Sequence, residues 1–235
     1  MQLFYKSDIN SDIETFFFDK EESKHIIKVL RKKENDILHV TNGLGFLFIV
    51  AIILASDSKC TVKIIEIKKS ETPKYRLHLA VAPTKLNDRY EWFLEKATEI
   101  GVTEITPIIC DHSENKFLKT DRFAKIILTA MKQSNQLYLP ILNEPIAYGI
   151  FIAKTFEGQK IIAHCEENDK KSLKNILKIN ENITILIGPE GDFSPNEIKK
   201  ALDNNFEAVS LGNTRLRTET AAIVACNTVA LLNEN

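Results

Sequence analysis

Ile183-Thr184-Ile185-Leu186-Ile187-Gly188-Pro189-Glu190-Gly191-Asp192-Phe193-Ser194-Pro195-Asn196-Glu197 holds an apolar strand, a glycine-bearing turn and a helix start in one stretch. Ile183 to Ile187 is a short β-branched run, the pattern of a strand covered on both faces. Gly188 and Gly191 let the following backbone approach a ligand closely and take conformations closed to other residues. Ser194-Pro195-Asn196-Glu197 predicts a capping box, with Ser194 at the N-cap, Pro195 in the first helical position and Glu197 in the third. Those two side chains occupy the amides that a phosphate would want, which weakens the case for a phosphate site at this helix start.

A second stretch of the same kind follows. Leu211-Gly212-Asn213-Thr214-Arg215-Leu216-Arg217-Thr218-Glu219-Thr220-Ala221 leaves the strand Ala208 to Leu211 and enters a helix of Ala221, Ala222, Ile223, Val224, Ala225 and Cys226. So many small apolar residues imply a helix packed closely against other backbone, at an interface or under a sheet. Arg215, Arg217 and Glu219 at its mouth need partners, since unpaired buried charge is costly. Either Glu219 pairs with one of those arginines, or an arginine faces a ligand.

Outward from these loops, strand and helix alternate back to Leu77. Leu77 to Ala82 reads as a strand, and Asp88 to Ile100 as a helix with Tyr90, Phe93, Leu94 and Ala97 on one stripe, closed by Gly101. Ile105 to Cys110 and Ile161 to His164 read as strands, and Asp121 to Leu137 as a helix. Such alternation predicts an α/β domain with a parallel sheet, whose ligands settle beyond the carboxyl ends of the strands. Lys68-Lys69-Ser70-Glu71-Thr72-Pro73-Lys74 marks the divide between domains at 1–72 and 73–235. Before it, Ile37 to Val40, Phe46 to Leu54 and Cys60 to Ile67 read as strands, with Asn42-Gly43-Leu44-Gly45 as a turn and Glu21 to Leu30 as a helix. These suggest a small barrel or sandwich.

The bulk properties narrow the function. The 235 residues are 44% hydrophobic and 27% charged, with 31 basic against 32 acidic side chains and a net charge of −1. Wholesale electrostatic capture of nucleic acid is not expected, so any such binding must rest on a local patch. The densest positive cluster is Lys28, Arg31, Lys32 and Lys33, either phosphate contacts or a solvated helix end. Cys60, Cys110, Cys165 and Cys226 form no CxxC pair and the five histidines show no HxxxH spacing, so no metal site is expected. The start lacks a signal-peptide pattern and no apolar run reaches a membrane span, which points to the cytoplasm. There is no GxGxxG after a strand, no GxxxxGK[ST] phosphate loop and no GxSxG elbow.

The two loops together resemble the signature of the small-subunit 16S ribosomal RNA uridine-N3 methyltransferase family of the SPOUT superfamily. Leu186 to Ser194 carries GPEG, and Leu216-Arg217-Thr218-Glu219-Thr220-Ala221 carries LRTETA. Lys96-Ala97-Thr98-Glu99-Ile100-Gly101-Val102 resembles its KATELGV segment, Gln133-Ser134 its QS pair, and His25 to Arg31 its HxxxVLR. The resemblance implies a C-terminal domain with a deep trefoil knot, a PUA-like N-terminal β-barrel that grips RNA, and a homodimer through the knotted domains. It further implies S-adenosylmethionine as methyl donor, no metal, and 16S rRNA or the small ribosomal subunit as partner. Where the family places Arg after the QS pair, this chain has Gln136.

The resemblance implies cofactor contacts from Ile187, Gly188, Glu190, Gly191, Leu211, Gly212, Leu216 and Arg217, with Cys165 near the methionine end. Arg217 is the expected stabiliser of a uridine anion, and Glu219 or Glu190 the base; Glu219 could instead orient Arg217. Lys28, Arg31, Lys32 and Lys33 would hold RNA phosphates. The competing readings are a SPOUT enzyme acting on ribose 2′-hydroxyls, and a noncatalytic RNA-binding assembly protein.

Overall fold

In the second half, the strands Leu77–Val81 and Ile183–Ile187 are buried at every position, as strands are when helices cover both faces of their sheet. A computed structural model describes residues 1–115, 118–166 and 170–234. They divide into two units, 1–72 with 131–139, and 73–130 with 140–235. Sequence reasoning counts residues 131–139 with the second domain. They group instead with the first, through Gly45 N–H to Leu137 O at 2.8 Å and Leu139 N–H to Gly43 O at 2.9 Å.

In the first unit, β1 (Leu3–Tyr5), β2 (Thr15–Phe17), α1 (Lys20–Lys24), β3 (Ile37–Thr41), β4 (Phe46–Leu54) and β5 (Thr61–Lys69) follow in order. They build one five-stranded sheet in the order β1-β3-β4-β5-β2. Alternation along β4 puts Phe48, Val50 and Ile52 in the core with Phe4, Leu38, Val40 and Val62. The helix expected from Glu21 to Leu30 is α-helical only to Lys24 and continues as a π-helical turn over His25–Val29. Ile26 still reaches the core, with Ile27 and Leu30 packed at its edge. Arg31, at φ 55°, ends the turn, and Lys32 N–H reaches back to Ile26 O at 3.1 Å.

The second unit runs β6 (Leu77–Val81), α2 (Asn87–Ile100), β7 (Glu104–Ile109), α3 (Thr120–Gln133, of which residues 131–133 group with the first unit), β8 (Ile141–Leu142), β9 (Ile146–Ala147), α4 (Tyr148–Ile152), β10 (Gln159–Ala163), β11 (Lys171–Ser172), α5 (Leu173–Ile176), β12 (Ile183–Ile187), α6 (Pro195–Asp203), β13 (Glu207–Ser210) and α7 (Thr218–Asn233). Its sheet has the order β11-β13-β10-β12-β6-β7-β8, with β9 beside β7, and every pairing is parallel. Ala80, Ile108, Ile162 and Leu186 pack under α4 and α6, while α7 lies on α2, β6 and β12. Cys226 sits against α2, its Sγ 3.8 Å from Ala97 O, which explains the small residues of α7. Gly101 caps α2 at φ 112°, as the stripe ending there predicts. The helix expected to reach Leu137 ends at Gln133 because Asn135 takes φ 57°. No helix among the described residues is long and apolar enough to cross a membrane.

Candidate functional site

A parallel sheet puts the carboxyl ends of all its strands at one edge, and the loops leaving β10, β12 and β13 meet there. Two adjoining hollows share Ala163, Cys165, Arg215, Leu216 and Ala221. One, of about 320 Å³, runs along Gly188, Pro189, Glu190, Arg89 and Arg217. The other, of about 460 Å³, runs along His164, Leu211, Gly212 and Asn213. The stretch after Ile187 and the stretch after Leu211 therefore form one cleft, of the size that small-molecule ligands use.

Short-range bonds fix its walls. Thr218 Oγ1 donates to Gly188 O at 3.0 Å, tying the start of α7 to the β12 loop. Asp192, at φ 65°, accepts from Cys165 N–H at 2.7 Å and from Phe193 N–H at 2.8 Å, so the β10 and β12 loops are joined. The capping box of α6 is present: Ser194 accepts from Glu197 N–H, and Glu197 Oε2 accepts from Ser194 N–H at 2.9 Å. Glu197 Oε1 also accepts from Asp111 N–H at 2.9 Å, which adds the β7 loop to the same brace. Gly191 lies against that loop, where an added Cβ would stand 3.1 Å from the Cβ of His112.

The charges at the mouth of α7 settle differently from the pairing that the sequence suggests. Glu219 is buried, and its Oε1 lies 3.9 Å from Nε of Arg89 on α2, while its Oε2 has no hydrogen-bond partner among the described residues. Neither Arg215 nor Arg217 makes an ion pair among the described residues, and both are exposed along the cleft. Arg89 is one of the lining residues that sequence reasoning missed, with Asp192, His164 and Lys170. The signal for Arg89 was present, since a helix opening on Asp88-Arg89 just after a strand end puts a cation over the ligand edge of the sheet.

A larger cavity of about 630 Å³ lies at the opposite, amino ends of β6, β7 and β12, around Arg76, His78, Glu104 and Asn143. Its polar groups are largely bound to one another: Arg76 to Glu104 at 2.7 Å, Asn143 to Glu104 and Thr106 at 2.8 Å each. It is remote from the glycine loops.

A family model for the RNA methyltransferase domain matches residues 70–230, and one for the RNA methyltransferase PUA domain matches 18–65. The ribosomal RNA small subunit methyltransferase E of Rickettsia conorii is 33% identical over 218 residues, 90% of this chain and 87% of that one. The chain belongs to that family of RNA methyltransferases. A Porphyromonas gingivalis structure described as a probable rRNA-methyltransferase is 38% identical, covers 99% of this chain and 98% of its own, and superposes with a TM-score of 0.93. The ribosomal RNA small subunit methyltransferase E of Neisseria gonorrhoeae, solved with S-adenosylmethionine bound, is 25% identical over 99% of this chain and 98% of its own, at a TM-score of 0.88.

In this family member the structure gathers most of the expected cofactor residues. Cys165, Ile187, Gly188, Glu190, Leu216 and Arg217 line the first hollow, and Leu211 and Gly212 the second. Gly212 takes φ 142°, and an added Cβ there would meet no atom within 4 Å, so this wall opens onto free space. Gly191 and Glu219 do not line the cleft: the first backs onto His112, the second sits under Arg89. Glu190 is held at the rim by Lys85 N–H, 2.9 Å from Oε1. Lys28, Arg31 and Lys33 are exposed on the first unit and Lys32 is half-buried; Lys28 pairs with Asp57 at 3.3 Å. Cys60, Cys110 and Cys226 are buried free thiols, and burial pushes those of Cys60 and Cys226 up to about 11 and about 12. Among the described residues no group of three or more His, Cys, Asp or Glu could hold a metal ion.

Proposed function

We infer that this chain transfers the methyl group of S-adenosylmethionine to N3 of a uridine in 16S ribosomal RNA of the small subunit. The observation that carries this is the single cleft built by the GPEG and LRTETA loops in a chain of this family. Among the cleft's charged side chains, Ile187, Gly188, Leu211, Gly212, Leu216 and Ala221 form a stretch of main chain and apolar groups that suits an adenosyl group, and the free space before Gly212 leaves room for one. Ile187, Gly188, Leu211, Gly212 and Leu216 would hold it through their main chain, with Cys165 and Glu190 toward the methionine end. When bound, S-adenosylmethionine supplies a methyl group already activated by its sulfonium.

The remaining chemistry belongs to the protein. Uridine N3 must lose a proton before it can attack. Arg217, exposed at the cleft without a carboxylate partner among the described residues, stabilises the resulting uridine anion. Of the two carboxylates, Glu190 stands at the cleft and is the base. Glu219 is withdrawn beneath Arg89 and orients that arginine, not Arg217. The target base must be unpaired, because its N3 edge is hidden in a duplex. Lys28, Arg31, Lys32 and Lys33 on the PUA unit hold the phosphates around it. The reading includes a homodimer through the methyltransferase units, a trefoil knot formed by the β12 and β13 loops with α7, and a cytoplasmic site of action. The domain limits it uses are 1–72 and 73–235, with residues 131–139 packed on the first.

The test is transfer of tritiated methyl to small subunits or 16S rRNA lacking the modification, followed by digestion to nucleosides. Radioactivity is expected in 3-methyluridine. Label in a 2′-O-methylated nucleoside, or none at all, would overturn the assignment.

A further inference from the structure

Alternation along β6 and β12 turns His78 and its cross-strand neighbour Thr184 to the face that carries Ala80 and Leu186, under α4. Both line the cavity at the amino ends of the strands, where they are 9% and 4% exposed. A chain of hydrogen bonds settles how His78 presents its ring. Glu104, bound to Arg76, can only accept, so Asn143 gives its amide hydrogens to Glu104 and to Thr106, at 2.8 Å each. Thr106 Oγ1 accepts that bond, and the one acceptor its own hydrogen meets among the described residues is Nε2 of His78, at 2.7 Å. Burial is the main cause that lowers the pKa of His78 to about 4, so at neutral pH the ring holds a single hydrogen. A ring that accepts at Nε2 carries that hydrogen on Nδ1. Nδ1 of His78 and Oγ1 of Thr184 have no hydrogen-bond partner among the described residues, and neither atom is sealed from solvent, so both open on the cavity that their residues line.

The rest of the lining limits what could meet them. Phe156 is a half-buried aromatic wall, whereas Phe151, 4.9 Å away between ring centroids, is 1% exposed. Arg76 and Lys154 stand against Glu104, Glu144 and Glu157, a balance that disfavours an anion. The volume of about 630 Å³ lies within the range of small-molecule sites. We propose that this cavity is a second binding site, for an uncharged nucleoside. The base lies against Phe156 and turns one edge to the sheet, where a ring-nitrogen acceptor meets Nδ1–H of His78 and the neighbouring amino group donates to Thr184 Oγ1. Adenine carries such an acceptor and donor side by side at N7 and N6. The two side chains come from paired strands, about 4.8 Å apart. Ribose hydroxyls donate to Glu144 and Glu157 at the rim. The nucleoside is either free in solution or an unpaired residue of an RNA. No lining residue is shared with the glycine-loop cleft, so the proposal stands apart from what that cleft binds.

The experiment titrates adenosine into the full chain labelled with ¹⁵N-histidine, with S-adenosylhomocysteine present throughout to occupy the cleft. The His78 signals are assigned by their loss in His78→Gln, and they report on this cavity alone, so adenosine bound elsewhere leaves them unmoved. The free protein is expected to show a protonated Nδ1 and an unprotonated Nε2 at His78, and adenosine to shift both. Thr184→Val keeps the shape of the side chain and should weaken adenosine binding about fivefold, the worth of one neutral hydrogen bond. Its thermal midpoint should stay close to native, since the hydroxyl has no partner to lose. Phe156→Leu should weaken binding about tenfold or more through lost stacking. A single-stranded rRNA fragment that displaces adenosine marks an RNA base as the natural occupant, and one that leaves it bound marks the free nucleoside. A proton on Nε2 in the free protein, a His78 signal that adenosine does not move, or a Thr184→Val variant that binds as tightly as native overturns the proposal. If Phe156→Leu fails to fold, the native titration and the valine variant decide the matter.

Discussion

At the residue scale, the cleft separates charges that the sequence places side by side. Arg217 and Glu219 are two positions apart, yet one is exposed over the hollow and the other is buried against Arg89. Their substitutions should therefore differ. Arg217→Ala is expected to cut methyl transfer by about a hundredfold or more, the loss seen when a preorganised charge stabiliser is removed. S-adenosylhomocysteine affinity by calorimetry should stay within about threefold of native, since the lost group meets the RNA base. Full activity in that variant would remove the assignment. His78 gives a separate residue-level test. Burial is the main force lowering its pKa to about 4, aided by Arg76 and Lys154 and opposed by Glu104. The unfolded chain then binds the proton first, so stability is full above the ordinary histidine range and falls as pH drops from about 6.5 to about 4. The loss is on the order of 3 kcal/mol, because each tenfold change in proton affinity is worth about 1.4 kcal/mol. Urea unfolding across that range should show a steeper acid decline in native protein than in His78→Gln; equal slopes would refute the account.

At the scale of elements, the reading of the sequence succeeds where periodicity and capping speak locally. Ile183–Ile187 forms the strand its apolar run announces, and Ser194 and Glu197 close the capping box. The boundaries that moved were set by neighbours or by single left-handed residues. Asn135 stops α3 early, and the helix after Lys20 widens to a π turn that keeps Ile26 in the core. Two-residue strands such as Ile141–Leu142 and Lys171–Ser172 carry no period of their own and exist only because a sheet edge was available. The Arg89–Glu219 pair was illegible because it joins positions far apart in the chain. The single cleft was legible through family resemblance; spacing alone gave two separate loops. What makes those loops one element is the Thr218 bond to Gly188 O. Thr218→Val keeps the shape and removes the donor, leaving a buried carbonyl unmatched at a cost of about 1–3 kcal/mol. The expected result is a lower midpoint in thermal unfolding together with weaker S-adenosylhomocysteine binding. A valine variant with a native midpoint and native affinity would mean that the loops hold their places without this bond.

For the whole molecule, the near-zero charge of the chain decides what kind of RNA enzyme it can be. With 31 basic and 32 acidic side chains, it has no general field to collect RNA, so affinity must come from few contacts. Lys28, Arg31 and Lys33 are exposed on the PUA unit, and Lys28 is already paired with Asp57 across solvent. That pair is weak, because both partners are more than half exposed, so phosphate can displace the aspartate at little cost. Each phosphate neutralised on a single strand contributes about −0.7 to the slope of log affinity against log salt, and about −0.9 on a duplex. Replacing Lys28, Arg31 and Lys33 together by alanine should flatten that slope by about 2 and weaken binding at low salt, with little change at high salt. The midpoint of thermal unfolding should stay close to native, since exposed charges of this kind contribute little to stability. The measurement is fluorescence anisotropy of a labelled single-stranded rRNA fragment over a range of salt concentrations. An unchanged slope would show that these side chains are a solvated helix end, and that the RNA phosphates are held elsewhere on the protein.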